Sequence, residues 1–183
     1  MPARLSPQPA MALSSSTSSV PCDSGVKILT EGKSLVSEYR PCVVAVFTNK
    51  SNKLLVCERS DVKGAWQFPQ GGIEPGESAL NALYREMREE IGCDRFKVLK
   101  EGSGLVKYRF PDGLRKPIAS RWIGQSQMWF KVEFDAGHSP DLSKAEGEFS
   151  SIDWRTVEEA LNGIVDWKKD AYREGLSKLG LIV

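Results

Sequence analysis

Glu86, Glu89 and Glu90 lie close together inside the segment Ser78 to Ile91. Apolar residues at Leu80, Leu83, Tyr84, Met87 and Ile91 give this segment helical spacing. At about 100° per residue, Glu86 placed at 0° puts Glu90 at roughly 40° and Glu89 at roughly −60°, so the three carboxylates share one face. The apolar stripe centres roughly 110° away, so the helix can bury one side while aiming its acids at the edge of a cleft. Like charges at these spacings repel by a few tenths of a kcal/mol. Hard divalent cations such as Mg²⁺ or Mn²⁺ would relieve that repulsion, because carboxylate oxygens suit them. A solvated acidic face is the other reading that three glutamates alone allow.

The chain has a single histidine, His138, in the turn-like stretch Asp135 to Pro140, where a solvated side chain is expected. With only this one histidine, a Ser/His/Asp triad and a His-rich zinc site are nearly excluded. Chemistry must run on carboxylates, lysines or a metal held by oxygen.

Several elements must position the acids. Val43 to Phe47, the turn Asn49 to Asn52 and Leu54 to Cys57 read as a β-hairpin. A Trp66-Gln67-Phe68 segment and a Gly/Pro-rich loop, Pro69 to Gly76, lead into the acidic helix. Strand-like runs follow at Phe96 to Leu99, Val106 to Phe110, Met128 to Phe134 and Ile152 to Trp154. Helical spacing returns at Thr156 to Leu161, stopped near Gly163, and at Trp167 to Leu179, stopped at Gly180. This alternation predicts an α/β fold, a mixed sheet with helices on both faces.

With 183 residues, the chain suits one domain plus a tail. Its 25 Lys and Arg nearly balance 24 Asp and Glu, which excludes the basic field of a general duplex-DNA binder. No apolar run is long enough to span a membrane. Cys22, Cys42, Cys57 and Cys93 form no CxxC pair and are expected to be reduced, as in an intracellular compartment. Residues 1 to 22 are acid-free and Ser-rich, with one Arg, and cannot bury a core. The expected division is a disordered tail over residues 1–38 and a folded domain over 39–183. The tail's composition suits either a chloroplast transit peptide or a plain extension.

Gly71, Glu77 and the run Arg85-Glu86-Met87-Arg88-Glu89-Glu90-Ile91-Gly92 resemble, in type and spacing, the box of the Nudix hydrolases; only Cys93 replaces the usual bulky aliphatic. The likeness extends over about residues 39 to 179. Tyr39-Arg40-Pro41, the Trp66 to Ile73 run, Gly124 to Phe130, Gly147-Glu148-Phe149 and Trp167 to Tyr172 resemble the branch that holds bacterial RNA pyrophosphohydrolases and plant-type asymmetric diadenosine tetraphosphate hydrolases. Met128 stands where that branch usually has Lys, and the segment Ile118 to Ile123 is shorter than its Trp-rich plant counterpart.

The resemblance implies a Nudix fold and attack of water on a phosphoanhydride. It also implies that Glu86, Glu89, Glu90 and Glu148 bind the cations with the Gly71 carbonyl, and that Glu77 and Arg85 pair to hold the loop against the helix. Glu148 and Glu89 compete for the role of base. Among the cations, Arg40, Arg59 and Lys168 are favoured for phosphate over Lys107, Arg109, Arg121 and Lys169: Arg40 and Lys168 lie in matching motifs, and Arg59 ends the strand leading to the loop. Trp167 with Tyr172 or Tyr108 would stack a base, while Trp129 and Trp154 sit in strand patterns and should be core. The expected substrates are dinucleoside polyphosphates, with RNA 5′ ends as the alternative and a non-catalytic binding module as the reading from another class.

Overall fold

A computed structural model describes residues 39–114 and 117–183. The proposed tail and Cys22 lie outside the described residues. Among the described residues, eight strands and three α-helices follow in the order β1 (Tyr39–Phe47), β2 (Leu54–Arg59), β3 (Trp66–Gln67), β4 (Gln70–Gly72), α1 (Ala79–Ile91), β5 (Phe96–Glu101), β6 (Val106–Arg109), β7 (Gly124–Phe134), β8 (Phe149–Arg155), α2 (Val157–Gly163) and α3 (Lys169–Lys178).

They form two sheets. In the first, the order is β4-β1-β7-β5, with β6 pairing the other half of β7; β1 and β7 run parallel and the remaining pairs antiparallel. In the second, the order is β3-β2-β8, all antiparallel.

The expected β1–β2 hairpin is therefore corrected. Its turn forms, with the Asn49 carboxamide oxygen accepting the Ser51 and Lys53 amides at 2.9 and 3.0 Å, but beyond a single bridge at Thr48 and Leu54 the two strands part into different sheets. The physical reason lies in the two runs themselves. Val43 to Phe47 and Leu54 to Cys57 are apolar at every position and buried throughout. A hairpin with one face in water would alternate, whereas strands covered on both faces read as continuous apolar runs.

β1 divides its side chains between two cores. Val44 and Val46 join Val56, Phe68, Trp129, Tyr172 and Leu176 in the cluster that α3 covers. Val43, Ala45 and Phe47 join Leu83, Met87, Ile91 and Phe130 under α1. Helices thus cover the first sheet on both sides. Ser78 caps α1, its side chain accepting the Asn81 amide at 3.2 Å, and Gly92 ends it in the left-handed conformation at φ 66°. Thr156 and Glu159 form a capping box on α2. The free thiols of Cys42, Cys57 and Cys93 are all buried. Among the described residues, no helix is long and apolar enough to cross a membrane.

Candidate active site

The loop between β4 and α1 is tied down by one arginine. Arg85 donates from Nε and Nη2 to the two carboxylate oxygens of Glu77 at 2.9 and 2.8 Å. Nη2 also reaches the Gly72 carbonyl at 2.8 Å, while Nη1 reaches Glu86 at 2.8 Å and Glu89 at 3.1 Å. A guanidinium is suited to this work because its donors form a rigid planar fork. Its hydrogen bonds hold the Glu77 carboxyl down at about 2.

Glu86 lies against Gly71, where a Cβ would collide with its carboxylate, and a Cβ at Gly72 would collide with the Arg40 guanidinium. Only glycine lets the backbone pass so close to both charges. Burial pushes the Glu86 carboxyl up, against the pull of Arg85. Glu90 is only 5% exposed and accepts the Gln70 amide at 2.7 Å. Its carboxyl is held well above the ordinary range by burial first and by the negative charge of Glu148 next. Glu148, just ahead of β8, accepts from Arg59 at 2.8 Å, and Arg59 also donates to Asp61 at 2.7 Å.

These groups surround a cavity of about 380 Å³. Glu86, Glu90 and Glu148 line it together; Glu89 faces a neighbouring groove with Arg85, and Glu86 and Arg40 border both. The small rotation between Glu86 and Glu90 along the helix and the larger one to Glu89 account for that split. Among the described residues, no three acidic, histidine or cysteine side chains stand close enough to hold a metal as they are. The donor chemistry nevertheless fits a hard cation: buried carboxylates at elevated pKa, repelling one another, beside a backbone that only glycine permits. Closing the side chains around such an ion would remove the repulsion.

Arg40, Arg59 and Lys168 all border the cavity, whereas Lys107, Arg109, Arg121 and Lys169 do not. Lys168 sits over the rings of Trp167 and Tyr108, 5.2 and 5.9 Å from their centroids. Trp167 is 38% exposed at the mouth, 5.5 Å from Tyr108. Tyr172 does not belong to this platform, and its sequence-based assignment to substrate stacking is corrected. The residue is fully buried, stacked on Phe68 and edge-on to Trp129. Its position in α3 points it into the apolar stripe, which spacing alone did not separate from the Trp167 turn. Trp129 is core and Trp154 packs against core, as expected. His138 is exposed in its turn.

Sequence reasoning missed the far wall. Gln67 and Gln125 are buried and line it, with Gln70 partly buried beside them, and Gln127 is buried against Gln70 and Gln125. Gln127 donates to Gln70 at 2.9 Å and to Gln125 at 3.0 Å, and accepts from the Trp129 indole at 3.1 Å. The available signal was the period-two series Gln125, Gln127, Trp129 on one face of β7, beside the glutamines of the Trp66 to Ile73 run.

The NUDIX domain family matches residues 38–175. The chain is 35% identical over 144 residues to an RNA pyrophosphohydrolase of Helicobacter pylori, spanning 76% of this chain and 92% of that protein. It is 32% identical over 170 residues to the chloroplastic Nudix hydrolase 26 of Arabidopsis thaliana, 88% of this chain and 76% of that one. A Caenorhabditis elegans Ap4A hydrolase shares the fold, with a TM-score of 0.56 at 15% identity, covering 78% of this chain and 99% of that structure. The family match takes in every strand, the glycine loop and the acidic helix, and relatives of two kinds agree with it. The chain belongs to the Nudix hydrolases, enzymes that cleave phosphoanhydrides of nucleotide substrates.

Proposed function

We propose that the protein hydrolyses dinucleoside polyphosphates, cutting diadenosine tetraphosphate asymmetrically to AMP and ATP. The observation that carries this reading is the two-ended cavity: acids at one end, an aromatic and cationic platform at the other, in a volume of about 380 Å³ suited to one nucleoside end of a substrate. A short polyphosphate needs only cations, a metal-binding acid cluster and one stacking surface. RNA draws much of its affinity from an extended basic track, which a net charge of +1 does not favour. Met128, in place of a lysine, supports the same preference.

Glu86, Glu89, Glu90 and Glu148, with the Gly71 carbonyl, would hold Mg²⁺ or Mn²⁺. Such an ion, when bound, neutralises phosphate charge and lowers the pKa of a bound water. Arg40 orients the phosphates, Lys168 meets the substrate at the aromatic end, and Arg59 keeps Glu148 in place until substrate arrives. Glu148 takes the proton from the attacking water, with Glu89 the competing base. Arg85 and Glu77 hold the loop and helix in register, so the reacting groups meet without reorganisation. The platform of Trp167 and Tyr108 carries the base.

A second reading, removal of pyrophosphate from triphosphorylated RNA ends, is supported by the Helicobacter pylori relative. Residues 1–38 would serve as a plastid targeting segment, a reading supported by the chloroplastic relative. Turnover of diadenosine tetraphosphate and triphosphorylated RNA in one Mg²⁺ buffer, with products separated by chromatography, tests the substrate. The expected result is a higher kcat/KM for the dinucleotide; the reverse makes the RNA reading the better one.

A further inference from the structure

The glutamine wall of the cavity has a direction. An indole N–H can only donate, so the Trp129 bond to Gln127 fixes the Gln127 oxygen as acceptor and its NH₂ as donor. That NH₂ then requires oxygens from both Gln70 and Gln125. The Tyr172 hydroxyl points to the same Gln70 oxygen at 3.4 Å, and the Tyr108 hydroxyl donates to the Gln125 oxygen at 2.6 Å. Gln127 and Tyr108 thus donate to the same atom. The Gln125 oxygen is doubly occupied, and what remains for the cavity, whose wall Gln125 forms, is its NH₂. Beside it Lys168, which can only donate, reaches toward the Gln67 oxygen at 3.4 Å. The polar side chains at the aromatic end thus offer hydrogens, and the carboxylate acceptors are gathered at the other end.

Resting on the reading that this end receives the substrate's base, we propose that Gln125, with Lys168, selects guanine over adenine. Guanine presents two adjacent acceptors, O6 and N7, and paired donors read them together. Adenine presents N7 beside an amino group, which would meet the Gln125 NH₂ donor to donor. Rejection by such a mismatch is as effective as attraction to the right partner. Gln125 acts here as a specificity residue, and the buried chain from Trp129 positions its amide.

The test uses the full chain with Mg²⁺, and compares kcat/KM for diguanosine, diinosine, di-7-deazaguanosine and diadenosine tetraphosphates. Guanine is expected to exceed adenine by about tenfold. Hypoxanthine, which keeps O6 and N7, should follow guanine, and 7-deazaguanine should lose most of the advantage. Gln125→Glu keeps the size and the acceptor for Tyr108 and Gln127 but replaces the outward donor with an acceptor, and should bring the ratio to one or below. A wild-type ratio of one or less overturns the proposal, as does indifference to N7 or an unchanged ratio in the variant. The same guanine-to-adenine ratio is measured on triphosphorylated RNA beginning with G or with A. If RNA is the faster substrate, the dinucleotide reading fails, while the ratio still decides the role of Gln125.

Discussion

The two ends of the cavity are built on opposite principles. At the acid end, charge is concentrated: Glu86 and Glu90 are nearly buried, both carboxyls are pushed up, and two arginines, Arg85 and Arg59, hold the cluster by ion pairs. At the base end the wall is built of neutral amides whose hydrogen bonds run back into the core, with the Lys168 ammonium over the aromatic rings and the Gln125 NH₂ turned to the cavity; among the described residues no buried side-chain polar atom lacks a partner. The acid end stores repulsion that a ligand can release, whereas the base end stores shape and direction. Changes at the first should therefore affect rate, and changes at the second affinity, selectivity and stability.

Glu90→Gln gives the sharpest break between them. It keeps size and helix propensity but removes a charge from the cation site, so kcat should fall at least about 100-fold with the fold intact. Activity above a tenth of wild type with unchanged circular dichroism would contradict the metal-site role. Glu148→Gln should lower kcat by roughly tenfold or more with little change in KM, the pattern of an interaction made mainly in the transition state. Equal kcat/KM at saturating Mg²⁺ would move the base assignment to Glu89.

At the opposite end, Trp167→Ala should raise KM for the dinucleotide roughly tenfold while sparing kcat, the size of one lost stacking contact. An unchanged KM would place the base elsewhere. Trp129→Phe should leave kcat nearly untouched but lower unfolding free energy by about 1–3 kcal/mol, because the Gln127 oxygen loses its buried donor. Denaturant titration measures it, and a loss of rate larger than the loss of stability would blur the division between the two ends.

The same contrast explains what could be read from the chain beforehand. Glu86, Glu89 and Glu90 announce themselves by charge at helical spacing, and the glycine loop by its composition. The caps at Ser78 and Thr156, and α1 itself, follow from local propensities. The glutamine wall was obscured because neutral amides carry no charge signal and their partners come from β4, β6 and β7, brought together by pairing at a distance. Tyr172 was misplaced for a related reason: the aromatic that faces solvent and the one that faces core lie in neighbouring turns, and only the packing of Phe68 and Trp129 separates them. The β1–β2 hairpin was misread because local turn chemistry, which is present, says nothing about which sheet receives each arm.

That parting of β1 from β2 has a mechanical side. Arg40 and Gly71 reach the cavity from the first sheet, and Arg59, Gln67 and the segment bearing Glu148 from the second. Any substrate or cation held by both groups becomes a strut across the seam between the two sheets. Occupancy is then felt as stiffness, since a ligand bound by the closed arrangement and not by the separated layers raises the work of pulling them apart. Amide exchange along β2 and β8, beyond their cavity contacts at Arg59 and Glu148, should slow when the cavity is filled, so the protein would register its substrate in its breathing as well as in its chemistry.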